Sequence, residues 1–87
     1  MADTEHATGI LFDQNDIDTV YDFTAMLVEV GFSAASVIDK AWALSSEIIN
    51  EKFGDLPMSK RIFQTSLLLS SANSKSLQEL KNKMKGS

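Results

Sequence analysis

Apolar residues recur along this chain at intervals of three and four, a spacing that stacks them on one face of an α-helix and would scatter them over both faces of a strand. Val20, Phe23, Leu27 and Val30 form one such series, with Ile17 and Met26 beside it. Val37, Ile38, Ala41, Trp42, Ile48, Ile49 and Phe53 form a second, and Met58, Ile62, Phe63 and Leu67-Leu68-Leu69 a third.

The punctuation between these series sets their limits. Phe12-Asp13 ahead of Asn15-Asp16-Ile17 places Asp13 at an N-cap and Asp16 at the third helical position, with Phe12 and Ile17 in a hydrophobic staple. The same arrangement returns as Phe32-Ser33 followed by Val37, directly after Gly31, a residue suited to the left-handed end of a helix. These signals predict helices over 14–30 and 34–53, the second closed by Gly54. Pro57 suits a first helical turn and predicts a third helix over 57–72, ending in the polar stretch Ser70-Ser71-Ala72-Asn73-Ser74. Ser76 and Glu79 have the spacing of a capping box and predict a short fourth helix over 77–85, with Leu77, Leu80 and Met84 on one face. Lys81, Lys83 and Lys85 fall near its C-terminus, where the helix dipole favours cations. The expected fold is therefore all-α: a small bundle of three main helices plus a short C-terminal one, assembled as an oligomer. A single domain over 10–85 follows a flexible tail over 1–9.

Composition narrows the function. Among 87 residues there is no cysteine, hence no disulfide and no thiolate for a metal or a nucleophile. A domain of this size buries only about 60–65% of its unfolded surface, so the core is small. The N-terminus, Met1-Ala2-Asp3-Thr4-Glu5-His6, is acidic where a signal peptide is basic, and no apolar run approaches the roughly 18–20 residues that span a bilayer. A cytoplasmic protein with no membrane contact is expected.

No catalytic constellation appears. His6 is the only histidine and lies in the expected tail, away from any partner that would orient it. No serine sits in G-x-S-x-G or S-x-x-K, and the glycines at 9, 31, 54 and 86 stand alone rather than in a phosphate loop. The run Asp13 to Asp18 has oxygen side chains at the first and third positions of a calcium loop. Ile17 stands at its fifth position, however, and the required glycine and distal glutamate are replaced by Asp18 and Thr24. Glu47 and Glu51 lack a histidine to complete a metal site. The reading is a chain that is not an enzyme and carries no cofactor and no metal.

Charge is unevenly placed. Residues 1–39 hold eight acids and no lysine or arginine, whereas residues 40–87 hold all eight bases against four acids, so the halves carry −8 and +4. Asp18, Asp22 and Glu29 lie along one side of the first helix, where like charges repel and no local cation relieves them. They either form a recognition face for a basic protein surface or are simply solvated or paired with Lys81, Lys83 and Lys85. Lys60 and Arg61, with Ser59, stand near the start of the third helix, where the dipole disfavours cations and free N–H groups favour anions. They offer a cradle for a phosphate, a nucleotide or a carboxylate of another subunit, or pair with Glu51 or Asp55. The acidic balance speaks against nucleic acid, since four lysines near one end give a small footprint.

The apolar surface is broader than one stripe. Leu67, Leu68 and Leu69 are turned by about 100° each, and Tyr21, Met26 and Val28 widen the first helix beyond one face. Tyr21, Leu67 and Leu68 are thus expected to touch another chain, with Ser66 and Ser70 permitting close approach, while Trp42 is assigned to the core. In size and acidity the chain is similar to small helical inhibitors such as bacteriocin immunity proteins, a likeness of composition that no motif carries. The leading expectation is a non-enzymatic interaction protein that self-associates and regulates or inhibits a protein partner. The alternative is a sequestering binder of a small anionic ligand, such as a nucleotide, held at a subunit interface by Lys60 and Arg61.

Overall fold

A computed structural model describes residues 9–86, which form three helices: α1 (Gln14–Val30), α2 (Ala34–Lys52) and α3 (Met58–Gly86). The tail expected over 1–9, and His6 within it, lie outside the described residues except for Gly9.

Both predicted start signals are made. Asp13 caps α1 by accepting from the Asp16 N–H, and the Asp16 carboxylate accepts from the Asp13 N–H, closing a capping box. Ser33 caps α2 through the Ser36 N–H. Gly31 ends α1 with φ of 109°. Its N–H reaches the Val28 carbonyl and that of Phe32 reaches Leu27, the paired bonds of a Schellman motif.

Only one boundary differs by more than a residue, while α2 ends at Lys52 and α3 starts at Met58, each one position inside its expected limit. The third and fourth predicted segments join into a single α3 of 29 residues. Ser70-Ser71-Ala72-Asn73-Ser74 are indifferent helix formers, but none is glycine or proline, so nothing there stops a helix already nucleated and packed. Ser76 does not cap; its hydroxyl bonds back to the Ala72 carbonyl, as serine does inside a helix.

The chain runs up, down and up, and each helix packs on the other two. Leu68 and Ala72 of α3, Val20 of α1, and Ala41 and Ile49 of α2 make the core, with Phe12 folded in from the N-terminal segment. That segment is pinned by Gln64, which is fully buried: its amide nitrogen donates to the Gly9 carbonyl and its oxygen accepts from the Leu11 N–H. Gly9 is therefore tied to the bundle. Among the described residues no helix is long and apolar enough to cross a membrane.

Helix lengths are unequal, and this shapes the molecule. At about 1.5 Å per residue α1 and α2 span roughly 25 and 28 Å, whereas α3 spans roughly 43 Å. The C-terminal turns of α3 thus project as an arm, and the molecule measures 49 Å in its long direction against 27 and 18 Å across.

Candidate functional site

The acidic side of α1 is partly spent inside the fold. Lys75 of α3 places its ammonium 2.8 Å from the Asp18 carboxylate and 4.5 Å from the centre of the Tyr21 ring. The Tyr21 hydroxyl donates to the Glu79 carboxylate. The hydrogen bond from Lys75 holds the Asp18 carboxyl below its ordinary range, and the same bond holds Lys75 above its own. Glu79 accepting from Tyr21 raises the phenol, since ionising it would set two anions together. Asp18 thus pairs with Lys75 rather than with Lys81, Lys83 or Lys85, and Tyr21 closes a clasp between α1 and α3. Asp22 and Glu29 stay exposed beside Met26, which is 45% exposed.

At the base of the bundle, Lys52 of α2 bridges Asp16 at 2.6 Å and lies 3.6 Å from Asp13. These contacts raise the Lys52 ammonium, chiefly through its bond to Asp16. The backbone N–H of Asp16 is the main cause of the lowered Asp13 carboxyl. A capping box and an interhelix ion pair share the same carboxylate.

Of Ser59, Lys60 and Arg61, the arginine is engaged within the fold. Arg61 donates through Nε to the Leu56 carbonyl at 2.9 Å and through a terminal nitrogen to the Asn50 side-chain oxygen at 3.0 Å. It therefore bridges α3 to α2 and the connecting turn, in place of the pair with Glu51 or Asp55. The Lys60 and Arg61 N–H groups both bond to the Pro57 carbonyl, which closes the first turn of α3. Ser59 is exposed and Lys60 partly buried.

The apolar surface is arranged differently from the expectation. Leu68 is fully buried, so it serves the core and cannot reach another chain; Leu67 is half-buried against that core. The reason is angular: Leu68 lies on the line of Gln64 and Ala72, and its neighbours are turned about 100° to either side. Trp42, in contrast, is 37% exposed and not a core residue. The buried line of α2 is Val37, Ala41, Ser45 and Ile49, and Trp42 stands one step off it. With Ser46 and Asn50 it forms one wall of a cleft of about 240 Å³, whose other wall is Met58, Arg61, Ile62 and Thr65 of α3. Met58 and Ile62 are 62% and 49% exposed there. Beyond Asn50 the surface of α2 continues to the exposed Glu47 and Glu51.

Gln64, Lys52 and Lys75 were not singled out from the sequence. Each acts across more than thirty positions of chain, and no local spacing announces such a pairing. Among the described residues, no group of three or more His, Cys, Asp or Glu is placed to hold a metal ion. Comparison with protein-family models, curated proteins and solved structures finds no match.

Proposed function

We propose that this chain is a non-enzymatic helical interaction protein that self-associates and regulates or inhibits a protein partner by occupying its surface. The observation that carries this reading is the cleft between α2 and α3. It exposes Trp42, Met58 and Ile62 together, with Arg61 at the rim. Tryptophan and arginine are enriched among residues that dominate binding energy, and contiguous exposed apolar patches mark contact surfaces. Asp22 and Glu29 add an acidic face suited to a basic partner, whose association would be faster at low salt. The anion-binding alternative draws less support, because the Arg61 guanidinium is engaged within the fold.

Light scattering over a range of concentrations tests self-association, with Trp42 emission read in parallel because it is the single tryptophan. A mass above the monomer with a blue-shifted emission is expected; a strict monomer with constant emission removes the claim. For the partner, a protein retained from a native pull-down should be lost with Trp42→Ala. For the alternative, Lys60→Ala with Arg61→Ala should leave thermal stability in phosphate or nucleotide unchanged relative to the parent's response. A ligand-induced stabilisation that disappears in this variant would favour anion binding instead.

A further inference from the structure

We infer that the segment Gly9–Phe12 is a displaceable strap, a built-in ligand lying in a site on the bundle that takes an extended peptide ending in an aromatic residue.

The site is built around a residue that a core of this kind does not otherwise call for. Gln64 is fully buried and lies on the same line of α3 as Leu68 and Ala72, where an apolar side chain would serve the packing. A carboxamide without partners is costly in such a place. The partners it has are main-chain groups: Nε2 donates to the Gly9 carbonyl at 2.9 Å, and Oε1 accepts from the Leu11 N–H at 3.1 Å. A carbonyl and the N–H two residues further on turn to the same side of an extended chain. One carboxamide therefore reads both, as a neighbouring strand would. Such recognition makes little use of the side chains at 10 and 11, and Ile10 is 59% and Leu11 41% exposed. Selectivity falls to Phe12, whose buried ring joins the core cluster. The pattern recognised is thus an extended backbone followed directly by an aromatic ring.

The strap is separable from the helices. The bonds that start α1 are made from Asp13 onward: the capping box with Asp16, and the ion pair of Asp16 with Lys52 of α2. They persist when the strap lifts, so the chain can hinge just ahead of Asp13. The strap itself is held by two hydrogen bonds from one side chain and by one ring, against the conformational entropy of ordering its backbone. Ends held this lightly open locally while the core stays folded. With the strap down the site is closed, and a partner's segment of the same pattern enters only when it lifts. The fraction of open molecules then scales the affinity that the partner sees. Neither the strap nor Gln64 lines the cleft beside Trp42, so this is a second contact site, independent of the first.

A labelled, end-capped peptide of sequence Gly-Ile-Leu-Phe-Asp, copied from residues 9–13, tests this on the full chain. Phe12→Ala loosens the strap and leaves Gln64 in place. By fluorescence anisotropy that variant should bind the peptide about tenfold or more tightly than the parent does. Replacing the peptide's phenylalanine by alanine, or adding Gln64→Ala to the variant, should abolish the gain. Circular dichroism checks that each variant is folded, and Phe12→Leu serves where the alanine variant is not. Hydrogen exchange of the parent needs no variant. Its Leu11 amide should exchange about tenfold or more faster than the Leu68 amide, with a weaker dependence on added urea. A folded Phe12 variant that binds the peptide no better than the parent overturns the peptide site. A Leu11 amide that exchanges only in step with Leu68 overturns the displaceable strap.

Discussion

Ser45 is the residue whose chemistry is least served by its position. It is fully buried on the core line of α2, and its hydroxyl has no hydrogen-bond partner among the described residues. A buried polar group left unsatisfied costs about 1–3 kcal/mol, and serine is also a poorer helix former than alanine. Ser45→Ala should therefore raise stability by about 1 kcal/mol or more in urea denaturation, with the far-ultraviolet spectrum unchanged. A loss of stability would mean that the hydroxyl is satisfied. Gln64 shows the opposite case: equally buried, it meets both backbone groups of the segment it holds.

At the scale of an element, α3 is two things in one helix. Up to Glu79 it is a member of the bundle, fastened by the Lys75–Asp18 pair and the Tyr21–Glu79 bond; beyond, it is an exposed arm. The fastening depends on pH with definite signs. Asp18 is lowered, so its contribution is present above its ordinary 3.8 and is lost as acid passes the lower folded value. Lys75 and Tyr21 are raised, so theirs are present below 10.5 and 10.0 respectively and are lost as alkali passes the higher folded values. Tyr21 is the only tyrosine, so phenolate absorbance reports it alone. Its midpoint should lie above 10.0 and return toward that value in Glu79→Gln. A parent midpoint at or below the ordinary value would mean that the clasp is not formed in solution.

At the scale of the molecule, a small core leaves little redundancy. Leu68 is fully buried where the three helices meet, and Leu68→Ala should cost about 2–5 kcal/mol by denaturant unfolding at a concentration too low for association. Its neighbours in sequence lie off the core line, and the same change at Leu69 should cost distinctly less. Equal losses at both positions would contradict the packing described.

Helix class, the limits of α1 and α2 and the two caps were legible in the sequence, because periodicity, capping and the left-handed glycine act within a few residues. The polar stretch before Ser76 misled for the same reason: locally it resembles an end, and only packing of Leu68 and Ala72 carries the helix through it. Which leucine is buried, whether Trp42 is inside, and which lysine meets Asp18 were decided by the angle at which three helices meet. That angle belongs to no single segment. Tertiary structure alone turned Arg61 inward, opened the cleft beside Trp42 and left the end of α3 projecting, because α3 outlasts the two helices that would have covered it.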